Sequence, residues 1–281
     1  MQEDERATAM AAAGDERVAG GAIAGLAFDL DGTVYLGARL LPGAAALMRA
    51  LSDQRVPYLF ATNNSSRSTA QYVERLTALG LAATAANVLT SNDVAAAVLD
   101  AQGLRRPYLL ATPEVEAEYR ARGIEPSETD PDAVVLTFDT TLTYAKLRRA
   151  SDLILAGLPY LATHPDKVCP TPSGPIPDCG AFAALLAEAT GAWPTVLGKP
   201  ERFMAETIRV RLGAPAAGIA FVGDRLYTDV RMANEHGFLA VLTLTGEATR
   251  DDLVGSPHQP DLIVDDLIAL HAHLRRERVL V

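Results

Sequence analysis

The chain is short of the residues that mark several large classes of protein. It carries two cysteines and five histidines in 281 residues, and only 6% of it is aromatic. Cys169 and Cys179 are too few for a disulfide framework, and their spacing fits no zinc site, so they read as unpaired thiols of a reducing compartment. His164, His236, His258, His271 and His273 are scattered along the chain. His271 and His273 would not share a helix face, which excludes them as a metal-binding pair. Lysine and arginine form no stripe, and the net charge is −10 with a pI of about 5.0. That balance excludes a general nucleic-acid binder. No apolar run approaches the roughly 20 residues of a membrane-crossing helix. The opening MQEDERATAMAAAGDERVAG lacks a basic n-region and an apolar h-region, so it reads as a disordered tail over residues 1–20 rather than a signal peptide. A cytoplasmic protein with neither a nucleic-acid nor a membrane partner is expected.

What is present is a composition able to bury a sizeable core, 49% hydrophobic and 21% charged. Apolar runs of strand length alternate with stretches of helical period, the rhythm of a mostly parallel α/β sheet. IAGLAFDL, VPYLFAT, TVLGKP, GIAFVGDR and FLAVLTLTG read as strands of one sheet. Helices are expected after Pro42, over Thr69–Ala78, over Arg202–Leu212, over Thr228–His236 and in DDLIALHAHLRRER. PYLLAT, AVVLTFD and LPYLATHPD begin further βα units, with helices at Tyr144–Ala156 and in AFAALLAEATG. Between them CPTPSGPIPDCG should be stiff and irregular. No internal repeat of fixed period is visible. The expected organisation is a doubly wound, Rossmann-like core over 21–90 and 195–281, interrupted by a second α/β domain over 91–194.

Four strand ends of the outer segments carry polar residues: AFDLDGT, LFATNNS, VLGKP and AFVGDRLYTD. Open parallel sheets bind ligands beyond the carboxyl ends of their strands. Those ends offer Asp29 and Asp31, Thr62 and Asn63, Lys199, and Asp224 and Asp229. Carboxylates suit Mg²⁺, which prefers oxygen ligands and tolerates a phosphate among them. A hydroxyl, an ammonium and free backbone N–H groups grip phosphate oxygens. Asp29 and Asp31, one residue apart on an extended chain, point the same way, and two like charges so close call for a neutralising partner. GKP is no Walker A motif, because Trp193 and Pro200 stand where Gly and Ser or Thr are required.

In this order, DLDGT, Thr62 in ATNNS, Lys199 and GDRLYTD resemble the four motifs of the haloacid dehalogenase superfamily. ATHPDKVCPTPSGPIPDCG and LTGEATRDDL narrow the resemblance to the NagD-like sugar and nucleotide phosphatases, whose cap domain lies between the second and third motifs. The resemblance spans about residues 22–272. It implies a Mg²⁺-dependent phosphomonoesterase acting through a phosphoaspartyl intermediate on a small phosphorylated metabolite. Sugar phosphates, nucleoside monophosphates, glycerol phosphate and phosphoglycolate are the substrate types it allows, and relatives are often homodimers.

Carried onto this chain, the motifs make Asp29 the nucleophile and Asp31 the general acid/base. Thr62 and Asn63 bind phosphoryl oxygens, and Lys199 balances their charge. Asp29, Asp224 and the backbone carbonyl of Asp31 hold the metal, with Asp229 behind them orienting a metal-bound water or Lys199. Asp166 and Asp178 are the candidate specificity contacts of the cap, and VYLG begins a flap. His164 stands where many relatives have Asn. Asp31 argues against a dehalogenase, and an insert of about 100 residues argues against a response-regulator receiver. A phosphotransferase or phosphomutase of the same superfamily, or a catalytically silent binding protein on the same fold, remains an alternative.

Overall fold

A computed structural model describes residues 23–171 and 173–280. The expected tail over 1–20 lies outside the described residues. The described chain forms two compact units, one of residues 23–61, 74–88 and 205–280, the other of 62–73 and 89–204.

The first unit is built on β1 (Gly25–Phe28), which is fully buried. The chain then makes a short hairpin, β2 (Tyr35–Leu36) and β3 (Arg39–Leu40), where VYLG was expected to open a flap. Next come α1 (Ala44–Asp53), β4 (Tyr58–Thr62), α2 (Thr69–Ala78) and β5 (Val88–Thr90). The six-stranded sheet runs β14-β13-β12-β1-β4-β5, with β12 at Ile219–Gly223, β13 at Leu239–Thr243 and β14 at Leu262–Val264. β1 pairs in parallel with both β12 and β4, and β12–β13–β14 continue in parallel. Strand order therefore reverses about β1, and the crevice of such a sheet opens at that reversal.

Leu26, Phe28, Phe60 and Phe221 are sealed in this sheet, and each such side chain contributes about 1.5–3 kcal/mol by leaving water. α1 buries Leu47, Met48 and Leu51 and packs on the last helix of the chain, Leu267–Arg276, whose N-cap Asp266 accepts the Ala269 N–H.

The second unit holds α3 (Ser91–Ala101), β6 (Pro107–Leu110), α4 (Pro113–Ala121), β7 (Ala133–Leu136), α5 (Tyr144–Leu155) and β8 (Tyr160–Ala162). It continues with a small hairpin, β9 (Val168–Cys169) and β10 (Ile176–Pro177), then α6 (Cys179–Thr190) and β11 (Thr195–Val196). Its parallel sheet runs β11-β8-β7-β6 over a core that includes Tyr108, Val134, Leu136, Leu153, Ile154 and Leu186.

Two expectations are corrected here. TVLGKP does not join the large sheet: Thr195 and Val196 pair with Leu161 and Ala162, giving the smaller sheet its edge strand. CPTPSGPIPDCG is not wholly irregular, because Ile176 and Pro177 pair back on Cys169 and Val168.

Buried polar groups fasten the start of α3. Asp93 closes a capping box with Thr90, accepts a hydrogen bond from the Thr69 hydroxyl at 3.1 Å and pairs with Arg122. Removing a carboxylate that satisfies so many donors strands all of them. Asp93→Ala is expected to cost about 2–4 kcal/mol in urea unfolding; a loss below about 1 kcal/mol would show the network to be dispensable.

Candidate active site

The carboxylates gather where strand order reverses. Asp29 follows β1, and its backbone N–H donates to the Val222 carbonyl of β12 at 2.8 Å, so the two strands end together. Asp224 directly follows β12, and Asp229 lies in a π-helical turn, Leu226–Val230, that leads into the helix Arg231–His236. Asp29, Asp224 and Asp229 are all buried, and one oxygen from each lies within 4.8 Å of the others. Asp229 was expected one step behind the metal ligands. The structure places it in the same cluster.

The electrostatics of this cluster call for a cation. Asp224 is pushed up to about 8, first by burial and then by the charges of Asp29 and Asp229. Three carboxylates so close cannot all ionise cheaply without a positive neighbour. Their hard oxygens are the donor set that Mg²⁺ takes.

Asp224 is also held in place. Its Oδ2 accepts the Glu247 N–H at 2.8 Å and its carbonyl accepts the Ala248 N–H at 3.0 Å. Glu247 in turn pairs with Arg225 at 2.9 Å. The backbone crowds in closely on both sides. Gly32, at φ 90°, and Gly246 each lie so near the Asp224 carboxylate that a Cβ at either position would collide with it. Gly32 is fixed further by the Thr245 hydroxyl, which donates to its carbonyl at 2.6 Å.

Asp31 occupies a different environment. The chain turns tightly after it, with the Leu30 carbonyl accepting from the backbone of Val34 at 2.9 Å and of Tyr35 at 3.1 Å. The Tyr35 hydroxyl donates to Asp31 Oδ2 at 3.0 Å, and the Arg75 guanidinium lies 4.2 Å from the centre of the Tyr35 ring. Burial and the Asp29 charge raise the Asp31 pKa, while Arg75 and the Tyr35 hydrogen bond pull it down. Asp31 is thus biased toward keeping a proton beside a carboxylate cluster, the division of labour expected of a general acid and a nucleophile.

The second unit holds the other predicted residues. Thr62 is buried, and its hydroxyl oxygen accepts the Asn64 N–H at 3.1 Å, shaping the turn after β4. Lys199 is buried as well. Asn63 was expected to bind phosphoryl oxygens, and its side chain is engaged elsewhere. Its amide spans the Lys199 backbone, donating to the carbonyl at 2.9 Å and accepting the N–H at 2.8 Å. Its second N–H donates to Asp166 at 3.2 Å. With both hydrogens and the oxygen engaged, this side chain has little left for a ligand.

Asp166 and Asp178, expected as specificity contacts, are likewise buried. Asp178 caps α6 through the Cys179 N–H at 2.6 Å. His164, marked in the sequence only as a departure from the Asn of many relatives, lies between those two acids, 3.4 Å from each. Nothing in the HPD segment itself announces both acidic neighbours.

Known proteins share both the sequence and the shape. The haloacid dehalogenase-like hydrolase family matches residues 26–125, and a related HAD hydrolase-like family matches residues 196–270. The chain is 36% identical to the D-glycerol 3-phosphate phosphatase of Mycobacterium tuberculosis, over 88% of this chain and 70% of that one. It is 30% identical to the 5'-nucleotidase YutF of Bacillus subtilis, over 86% of this chain and 95% of that one. Among solved structures, the 4-nitrophenylphosphatase of Thermotoga maritima superposes with a TM-score of 0.86 at 38% identity, covering 91% of this chain and 98% of that one. The likeness runs through both matched segments and through the whole described fold, so the chain belongs to the haloacid dehalogenase-like hydrolases, in their NagD-like branch, and is a hydrolase of phosphoric monoesters.

Proposed function

We propose that this protein hydrolyses small phosphorylated metabolites in two steps on Asp29. One observation carries the reading. Two carboxylates at one strand end sit in unlike surroundings, Asp29 within the acidic cluster and Asp31 under Tyr35. In the first step an Asp29 oxygen attacks phosphorus, the ester P–O bond breaks, and Asp31 gives its proton to the departing alkoxide. In the second step Asp31 takes a proton from water as that water attacks the phosphoaspartate. The Asp29 O–P bond breaks, inorganic phosphate leaves, and Asp31 is protonated again.

The side chains of Asp29, Asp224 and Asp229, with the Asp31 carbonyl, are the groups that would hold a divalent ion. Bound Mg²⁺ supplies positive charge that offsets the repulsion between a carboxylate and a phosphate dianion. Thr62 binds a phosphoryl oxygen through its hydroxyl, and Lys199 balances the charge of the group. Asn63 serves the reaction by fixing the Lys199 backbone.

The substrate class follows from the relatives. Their names include a nucleotidase, a glycerol phosphate phosphatase and a dihydroxyacetone phosphatase, so a small sugar, polyol or nucleoside monophosphate is the expected substrate. The described residues contain no helix long and apolar enough to cross a membrane. Cys169 and buried Cys179 are in no disulfide among the described residues, which suits a reducing compartment that we read as the cytoplasm. Phosphate release from 4-nitrophenyl phosphate, followed by a panel of these metabolite classes, tests the reading. Mg²⁺-dependent release from the aryl ester and from at least one panel member is expected. No release from any of them, with Mg²⁺ present, would overturn it.

A further inference from the structure

A chain of buried polar contacts in the second unit leads to Lys199, and nothing in the reaction above yet uses its centre. His164 follows β8 and is 0% exposed. Its Nδ1 lies 3.4 Å from Asp166 Oδ2, and its Nε2 lies 3.4 Å from Asp178 Oδ1. Each acid has a second attachment. Asp178 caps α6 at the Cys179 N–H, and Asp166 accepts from the Asn63 amide, which clasps both backbone polar groups of Lys199. Steric fit tightens the same region, since a Cβ at Gly198 would run into the Thr163 carbonyl and the Asn63 side-chain oxygen.

We infer that His164 is a positioning residue for Lys199. It ties Asp166 to the N-terminus of α6 through Asp178, and Asp166 in turn fixes the amide that sets the Lys199 backbone. The protonated imidazole suits this task because it carries an N–H on each side of one rigid ring, facing an acid at either end. An aliphatic side chain there would leave two buried carboxylates facing apolar groups, and Asp166 would lose the partner that steadies it. Asn has the polarity but a shorter reach.

The inference rests on the phosphate-binding role of Lys199 proposed above. It is tested by steady-state kinetics with 4-nitrophenyl phosphate and by competitive inhibition with orthovanadate. The proteins compared are the wild type, His164→Leu, His164→Asn, Asn63→Ala and the double variant His164→Leu/Asn63→Ala. Loosened support of a metal or anion-binding group commonly costs on the order of 10- to 100-fold. His164→Leu should therefore raise KM and the vanadate inhibition constant about tenfold, with a smaller fall in kcat. His164→Asn should lie between it and the wild type.

In the Asn63→Ala background, which already cuts the path, His164→Leu should add less than about twofold. A general packing role predicts instead that the two effects multiply, and that result overturns the inference. So does a vanadate constant within about twofold of wild type in folded His164→Leu. If His164→Leu does not fold, His164→Asn decides by the same twofold criterion, alone and with Asn63→Ala. A wild type that releases no phosphate fails the phosphatase reading and this inference together. An active wild type whose His164 variants are indifferent fails only the inference.

Discussion

Asp29→Asn should lose turnover by roughly 10⁴-fold or more, because the change removes the nucleophile and one of the carboxylates that would hold the metal. The amide keeps the shape of the carboxylate but has no oxygen able to form the phosphoenzyme. In the wild type, rapid acid quench should trap phosphate on the protein in a hydroxylamine-sensitive form, and the variant should trap none. Asp31→Asn should behave differently. It retains the nucleophile and loses the proton donor, so its deficit depends on the leaving group. An alkyl phosphate, whose alkoxide needs the proton, should suffer on the order of 10²–10⁴-fold. 4-Nitrophenyl phosphate, whose phenolate leaves unaided, should suffer much less in the first step. Substantial turnover by Asp29→Asn would remove Asp29 from the mechanism. Equal losses on the two esters in the rate of phosphoenzyme formation by Asp31→Asn would remove Asp31 as the acid.

Mg²⁺ affinity should rise steeply with pH up to about pH 8 and then level off, following the shift of Asp224. In the absence of metal, burial and the charges of Asp29 and Asp229 raise the Asp224 pKa and favour its protonated form. An ion needs the carboxylate, so binding displaces a proton, and the dissociation constant should fall by up to about tenfold per pH unit below that point. Titration calorimetry in buffers of different ionisation enthalpy would count the proton directly. The same shift sets the pH dependence of the metal-free fold. The ordinary carboxyl value is 3.8 and the folded one about 8, so between them the folded state holds more protons than the unfolded state. Metal-free stability should therefore decline as pH rises through that interval, and saturating Mg²⁺ should reverse the decline. Asp224→Asn should weaken Mg²⁺ binding by about 10²-fold and abolish the pH dependence. Affinity unchanged between pH 6 and 8 would dismiss this account of the cluster.

Much of the architecture can be read along the chain because it depends on local pattern. The helices Thr69–Ala78 and Arg202–Leu212 fall where their apolar period and flanking residues place them. The short elements escape. β5 and β14 are three-residue strands, too brief for periodicity to register, and α3 opens on a capping box in which Asp stands where Glu or Gln is usual. The strand leading to Lys199 was misplaced because two residues, Thr195 and Val196, carry no signal of which sheet they will join.

The acidic half of the site is legible because Asp29, Asp31, Asp224 and Asp229 are themselves the motifs. Asn63 is not. Its side chain is held by backbone atoms of Lys199, 136 residues away. The surroundings of His164 escape for a related reason: its departure from Asn is visible in the sequence, but its two acidic neighbours are seen only in space.

Gly32 and Gly246, pressed against the Asp224 carboxylate, show that a site is larger than its reactive groups. Neither residue donates, accepts or ionises through a side chain, yet each is constrained by the empty volume it leaves. Selection at such positions acts on a missing atom. An inventory of functional groups therefore undercounts the positions this chemistry occupies, and a redesign that keeps every carboxylate but refills those two places would erase the activity with its catalytic residues intact.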